Sequence, residues 1–534
     1  MVLSTTTGET IQQVQMQQAA SAWLDSYNSS HPASQQGPSS STIAQGGYTV
    51  VTTFNQNDMN LAQEAVQQEL LSSEDTLDKT TLSPGLAAVD PSTGDLVAFY
   101  GGTTYENTAT LQTAQGGSTF KAFTLATALT NNWSPDSYVS ANPWPDPTVP
   151  SEMQEDSGDL GGGITNDGSH AKVGTITLKH AVDDSVNTAF VRIEEQQPGQ
   201  YGEVEQMAQA FGLSPSIPGW TDTSGGCDNV RFTLGVCAVD PARMADAYSV
   251  LPANGTLHPL VEIKEIKEPG GAVWTPTETT TQPISANVAA TETSLLSGVI
   301  HQNDGTANSA YESSSLRMNN IAGKTGTSTM DDTTPDIVQA MKDIGYNDDD
   351  GGYDTAGIWF DGFSSKLSIS VGISRWTDVK INGNLETVQL PVDTIAGGGN
   401  DYGAQYPFSI WDKFIQLMQG TPYGGDNSFT AAVANPSATV MNSPTPSASA
   451  TTSSAPATTR PATTSAPPTS ATATTPSLSP TTPTAPASTC TQGLLVQCES
   501  PTASDTATGT ATATKTNGGG GGFGNNADDN NGGP

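Results

Sequence analysis

The sequence predicts a mixed α/β fold, and three observations predict it. The run "LAAVDPSTGDLVAFY" (86–100) is two apolar stretches joined by a Pro-x-x-Gly turn, the pattern of a β-hairpin. "FKAFTLATALTNN" (120–132) reads as a helix that starts near Ser118. Further on, "NNIAGKTGTS" (319–328), "TAGIWFDGF" (355–363) and "KLSISVGISRW" (366–376) are strand candidates, and "SIWDKFIQLMQG" (409–420) is a closing helix with a glycine stop.

The remaining elements follow from the same signals. "ETIQQVQMQQAASAWLDSYN" (9–28) reads as one helix, broken by "SSHPASQQGPSSS". "GYTVVTTF" (47–54) alternates as a strand does, and "NLAQEAVQQELLS" (60–72) is an amphipathic helix. "TLKHAVDDSVNTAFVRIEEQQ" (177–197) is mostly helical, and "PARMADAYSVLPANG" (241–255) is a helix closed by Asn-Gly. Beyond about 430 the chain turns to Ala, Ser, Thr and Pro and ends in a Gly-rich run. Such composition buries too little apolar surface to offset ordering entropy, so disorder is expected there.

The formal net charge is −36. Almost all of it lies before residue 431, since the tail carries only Glu499, Asp505, Asp528 and Asp529 against Arg460 and Lys515. An acidic body argues against nucleic acid and against docking on anionic lipid. No run of about 18 apolar residues marks a membrane span. The first residues lack the basic and apolar regions of a secretory leader. The four cysteines, Cys227, Cys237, Cys490 and Cys498, form two close pairs outside any zinc spacing. They fit either two local disulfides of an oxidising compartment or free thiols.

Three short motifs carry chemistry. In "AQGGSTFKAF" (114–123), Ser118 and Lys121 stand three positions apart, on one face of a helix. A serine hydroxyl needs a base in contact, and a lysine serves as base only when its pKa is lowered by burial or by a second cation. The start of that helix also offers backbone N–H groups to a developing oxyanion. In "DDSVNTAF", Ser185 and Asn187 place a hydroxyl and an amide where both can face one cleft. In "AGKTGTS", Lys324, Thr325, Gly326 and Thr327 lie at the start of a strand. There the glycine admits a ligand backbone, and Lys324 can attract a carboxylate and depress Lys121.

Taken in order, S-x-x-K, S-x-N and K-T-G resemble the signature of the penicillin-recognising serine acyltransferases. The flanks narrow the likeness to class A penicillin-binding proteins. "LAAVDPSTGDLVAFYGG" resembles the hairpin before their nucleophile. "FTLGVCAVDPARMADAYSVLPANGTLHP" resembles the helix between their second and third motifs. "GIWFDGF" and "PFSIWDKFI" resemble the strand and helix that follow, and "GYTVVTTF" the linker that precedes. The resemblance spans roughly 45–425. It departs at Gly116, where proline is usual, and in an acidic insertion at 331–354. It departs also in lacking the glycosyltransferase domain and anchor usual upstream.

The resemblance implies a transpeptidase-like fold of the β-lactamase type, an antiparallel sheet with helices on both faces plus a helical subdomain. It implies that Ser118 attacks the penultimate carbonyl of a D-Ala-D-Ala stem peptide and that Lys121 takes its proton. Ser185 would relay a proton to the leaving D-Ala, and Asn187 would orient the substrate amide. Lys324 and the hydroxyls of Thr325 and Thr327 would hold the terminal carboxylate, with Gly326 giving room. The backbone amides of Ser118 and Thr327 would form the oxyanion hole. The expected layout is a remnant of an upstream region at 1–45, a linker at 46–83, a transpeptidase domain at 84–425 and a disordered tail at 426–534. The expected partners are peptidoglycan stem peptides, lipid-linked or nascent glycan strands and β-lactams, outside the cytoplasm, with no cofactor and no metal. Rival readings are a D,D-carboxypeptidase or β-lactamase and, from another class, a non-catalytic β-lactam- or wall-binding protein. The histidines lack ligand spacing, "NDDDGGYD" (347–354) lacks the Glu a calcium loop needs, and Trp144, Trp220, Trp359 and Trp376 are expected to pack.

Overall fold

The computed structural model describes residues 10–71, 82–143, 164–166, 174–214, 220, 227, 229–330, 338–339, 342, 354–381, 384–392, 395 and 402–441. Cys490, Cys498, His170, Trp144 and all of the "NDDDGGYD" run except Asp354 lie outside them.

Apolar runs with covered faces build the main sheet. Its strands run antiparallel in the order Ala322–Met330, Asp354–Phe363, Ser368–Ile381, Leu82–Val89 and Leu96–Tyr100, and Asn384–Leu390 pairs with the far part of Ser368–Ile381. Leu86, Ala87, Ala88 and Val89 are all buried, which explains a continuous apolar run where one solvated face would give alternation. Phe360 packs edge-on against Phe408 and Trp411 of the closing helix Tyr406–Leu417. Its neighbour Trp359 sits on the other face, where it lines a small gap with Gly372 and Pro241, the residue that opens the helix Pro241–Ser249. Helices therefore cover both faces, as expected. The hairpin forms as its turn chemistry predicts: the Asp90 carboxylate accepts from the Ser92 amide at 2.9 Å and hydroxyl at 2.7 Å.

The helix Lys121–Thr130 is buried from Lys121 to Leu129. It packs against the helices Asn187–Glu195, Gln200–Ala210 and Ala286–His301, so the second subdomain is helical. It stops at Asn132, whose φ of +63° is the left-handed turn of a helix end. There Trp133 N–H donates to Ala128 O at 2.9 Å and Asn132 N–H to Leu129 O at 3.1 Å, the paired bonds of a Schellman motif.

The N-terminal residues are built into this body. The helix Ile11–Ser30 starts with a capping box between Thr10 and Gln13. Buried Gln15 donates to the carbonyls of Gly101 and Thr104, both at 2.7 Å, at the end of the hairpin. Thr49–Thr52 joins Ile263–Lys267 and Val273–Trp274 in a three-stranded sheet whose small core holds Ala20, Leu24, Ile43, Val50, Ile263 and Ile266. The helix Gln56–Val66 covers the strand Leu96–Tyr100. The segment expected to be a linker is thus a structural part of the fold wherever it is described.

The chain also stays on the body past the expected boundary at 425. The Asp426 carboxylate accepts from the amides of Asn319 at 3.1 Å and Asn320 at 2.8 Å. Phe429 meets the Phe363 ring edge-on at 5.6 Å, and Val433 N–H donates to the Asn287 side chain at 2.7 Å. Thr439 N–H donates to Asn132 O at 2.7 Å and its carbonyl accepts from Ser134 N–H at 2.9 Å. Tyr138 N–H donates to Met441 O at 2.7 Å. Residues 426–441 form a strap from the closing helix to the end of the Lys121–Thr130 helix, tied by backbone bonds that Ser, Thr and Pro composition does not reveal. A chain ended at 441 is expected to melt like the full chain, whereas one ended at 425 melts several degrees lower. Equal melting of all three in a calorimetric scan would show that the strap contributes nothing.

Candidate active site

A buried lysine must find acceptors for its protons, and Lys121 finds four. It is 1 % exposed. Its Nζ lies 2.9 Å from Ser118 Oγ, 3.1 Å from Ser185 Oγ, and 2.6 Å from both the Ser185 carbonyl and Asn187 Oδ1. The last two atoms can only accept, so they claim two N–H bonds. A neutral amine then has one lone pair left, facing the two serine hydroxyls. Burial and the adjacent Lys324 push Lys121 well below the ordinary lysine range, with Asp184 opposing the shift. The Phe190 ring, 5.5 Å below, completes its pocket.

Lys324 is fully buried, and its Nζ donates to Ser185 Oγ at 2.7 Å and to Thr325 O at 3.1 Å. Burial lowers its pKa to about 7, against the attraction of Asp184. Lys324 is therefore charged chiefly below about neutral pH in the free protein, and a bound anion would raise its pKa. Ser185 Oγ stands between the two amines, placed to pass a proton from one to the other.

The K-T-G segment is the edge of the sheet. Ala322–Met330 has one sheet neighbour among the described residues, Asp354–Phe363, and its other edge meets the turn carrying Ser118. A Cβ on Gly117 (φ +58°) would stand 2.5 Å from Thr327 O, and one on Gly326 would stand 2.4 Å from Gly116 O. Only glycine permits this approach of backbone to backbone. The turn itself is the 3-10 segment Gly117–Phe120, which runs into the helix at Lys121. Behind it, Gly117 N–H donates to Gly235 O at 3.0 Å and Gly116 N–H to Cys237 O at 3.2 Å. These bonds extend the antiparallel pairing of Ala114–Gln115 with Ala238–Val239. Thr325 Oγ1 bonds the Thr306 hydroxyl at 2.7 Å, and Thr327 Oγ1 accepts from Gly403 N–H at 3.4 Å.

The comparisons with known proteins agree with this geometry. The penicillin-binding protein transpeptidase domain model matches residues 85–351, half of the chain.

The chain belongs to the penicillin-binding protein transpeptidase family.

Penicillin-binding protein 1A of Mycobacterium tuberculosis is 26 % identical over 397 residues, 71 % of this chain and 41 % of that protein. This chain spans less than half the length of the curated relatives it matches. The penicillin-binding protein PonA1 of Mycobacterium tuberculosis shares the fold at a TM-score of 0.60 and 22 % identity, covering 81 % of this chain and 97 % of that one. PonA1 is also known in complex with penicillin V.

In this transpeptidase domain the five polar groups read from the sequence, Ser118, Lys121, Ser185, Asn187 and Lys324, meet in one network. Thr325, Gly326 and Thr327 line the adjoining strand. The sequence reading missed the residues that brace them. Asp184 immediately precedes Ser185 and acts on both lysines, and its place in "DDSVN" was the available signal. Thr306, Gly235 and Cys237 carried none, because they act through a distant hydroxyl contact or through backbone carbonyls. Trp220 and Trp359 are core residues. Among the described residues no group of three His, Cys, Asp or Glu is placed for a metal. No helix among them is long and apolar enough to cross a membrane.

Ser185 itself interrupts the mostly helical stretch 177–197. The segment splits into Leu178–Asp183 and Asn187–Glu195, with Ser185 at φ +54° between them. Val186 N–H donates to Ala181 O at 3.0 Å and Ser185 N–H to Val182 O at 3.2 Å, so Ser185 occupies the left-handed position that a Schellman motif reserves for glycine. A β-carbon there costs on the order of 1–3 kcal/mol. The hydroxyl between two lysines is what the fold gains in return. Ser185→Gly is therefore expected to melt at a higher temperature than Ser185→Ala, with both losing the relay hydroxyl. Equal melting of the two variants would refute the strain.

Proposed function

We propose that this chain is a peptidoglycan D,D-transpeptidase that works through a Ser118 acyl-enzyme. The observation that carries the reading is the Lys121 amine, held by two obligate acceptors with its remaining valence aimed at Ser118 Oγ. On this reading Ser118 Oγ attacks the carbonyl of the penultimate D-Ala, and its proton moves to Lys121 Nζ. The oxyanion forms where the Ser118 turn lies against Thr327, with the amides of Ser118 and Thr327 as donors. As the C–N bond breaks, a proton reaches the leaving D-Ala amine through Ser185 Oγ. Lys324, Thr325 and Thr327 receive the terminal carboxylate, and Asn187 orients the substrate amide. An amine of a neighbouring stem then attacks the ester and frees Ser118, which forms the cross-link. Water in its place gives carboxypeptidation.

Penicillin presents a carboxylate and a strained amide in the same relation, and the penicillin V complex of PonA1 supports the same chemistry here. The Cys227–Cys237 disulfide supports an oxidising, extracytoplasmic location. The wall partners proposed are stem peptides on lipid-linked or nascent glycan strands.

Incubation with penicillin is expected to add one mass equivalent to the chain, on Ser118, and Ser118→Ala is expected to add none. An adduct that survives this substitution would remove Ser118 from the role.

The pH dependence follows from the lysines. Acylation of the free protein needs Lys121 neutral, a form that burial and Lys324 favour by lowering its pKa well below the lysine range. It needs Lys324 protonated, a condition lost as pH rises through about 7. The second-order acylation rate should therefore fall above about pH 7, while Lys324→Arg, lower at its best, should hold its rate up to pH 9. Lys121→Arg should lose on the order of 10²–10⁴-fold at every pH, because general-base catalysis is gone. Matching profiles for the two arginine variants would reverse the assigned roles.

A further inference from the structure

The two carbonyls that hold the Ser118 turn from behind belong to a covalently closed loop. Cys227 and Cys237 are joined across ten residues, and both are buried. Cys237 O accepts from Gly116 N–H at 3.2 Å, and Gly235 O accepts from Gly117 N–H at 3.0 Å. Gly235 stands at φ +66°, where a Cβ would lie 1.9 Å from Gly117 O. Gly117 in turn presses on Thr327. Three backbones are thus stacked without side chains between them: the loop, the nucleophile turn and the sheet edge.

The rest of the loop is held by other means. Thr233 N–H donates to buried Glu194 at 3.0 Å, Thr233 Oγ1 accepts from Thr124 Oγ1 at 2.7 Å, and Phe232 packs edge-on against Phe120 and Trp220, both at 5.5 Å. These contacts fix residues 232–234 without the disulfide. The end at Cys237, which carries the acceptor for Gly116, runs into the Ala238–Val239 strand paired with Ala114–Gln115, and the bridge adds the covalent tie to Cys227 that completes its anchoring.

We infer that the Cys227–Cys237 disulfide is a positioning element for acylation: by pinning the carbonyls of Gly235 and Cys237, it sets where Ser118 Oγ stands relative to Lys121 and Thr327. The inference rests on Ser118 being the nucleophile. Opening the bridge leaves the core contacts in place and lets the Gly116–Gly117 turn drift. A displacement near 1 Å at a reacting atom is worth about 100-fold in rate.

The test uses the full chain with its bridge intact, the same chain reduced by a dithiol, and the Cys227→Ala/Cys237→Ala variant. Free thiols are counted after denaturation and folding is followed by near-ultraviolet circular dichroism. Acylation by a chromogenic cephalosporin is resolved into its non-covalent affinity and its first-order acylation step. Opening the bridge is expected to slow the first-order step roughly 10- to 100-fold. The non-covalent affinity should stay unchanged, reoxidation should restore the rate, and the limbs of the pH profile should stay unchanged in the Cys227→Ala/Cys237→Ala variant, which leaves both lysines in place and adds no thiol. Gly235→Ala, with the bridge intact, is expected to give the same selective loss.

An unchanged first-order step in the folded, reduced chain overturns the inference and leaves the Ser118 reading standing. A loss confined to affinity or folded fraction also overturns it, since a merely structural bridge would produce that. Failure of the oxidised wild-type chain to be acylated on Ser118 overturns both.

Discussion

A lysine amine sealed from water is the constraint on which this site depends. Charged, it would need three good acceptors and a counter-charge at short range; neutral, it needs two acceptors and offers a lone pair. Lys121 is given two carbonyl-type acceptors at 2.6 Å and a second lysine close enough to repel its proton. The fold thus shifts the balance toward the basic form before any substrate arrives. The helix Lys121–Thr130 is buried from Lys121 to Leu129, which keeps water out and in turn requires the Ala-, Leu- and Phe-rich sequence that follows Lys121.

Placing Ser118 against that amine is a matter of backbone geometry. The nucleophile turn sits between two other backbones, and glycine at 117, 235 and 326 removes the Cβ atoms that would separate them. Close packing of main chains fixes position more tightly than long side chains do, because few rotatable bonds lie between the contact and the reacting atom. Ser185 shows the opposite choice. At a helix end where glycine would relieve the backbone, the chain keeps a hydroxyl, and the strain lies at the atom that touches both lysines.

The legibility of the sequence follows this division. The side chains proposed to act directly were readable, because Ser118, Lys121, Ser185, Asn187 and Lys324 fall in three short motifs that gain meaning from their order along the chain. The hairpin, the strands at 322–330 and 354–363 and the closing helix were readable from apolar pattern and turn residues. What was not readable acts through backbone. Gly235 O and Cys237 O have no side-chain signature, the left-handed turn within 177–197 falls on a serine where the rules look for glycine, and the 426–441 strap is tied by main-chain bonds in a composition that signals disorder. The N-terminal helix was legible as a helix. Its role was not, because Gln15 satisfies carbonyls of a hairpin 86 residues away.

The charge of the chain bears on how the proposed ligands reach this site. Stem peptides ending in D-Ala and penicillins carry a carboxylate, and the chain as a whole carries −36. At physiological ionic strength charges beyond roughly 8 Å are largely screened, so the acidic surface neither steers such a ligand in nor bars it. On the proposed reading recognition comes from the last few ångströms, where Lys324 is the cation placed for it; burial lowers how much of its charge is present and Asp184 partly restores it. A carboxylate that arrives there raises the proton affinity of Lys324, and the restored charge lowers that of Lys121 further. On the proposed reading, binding the anion thereby favours the neutral form of Lys121 beside Ser118, which would couple recognition of a terminal carboxylate to the nucleophile through two lysines that share one hydroxyl.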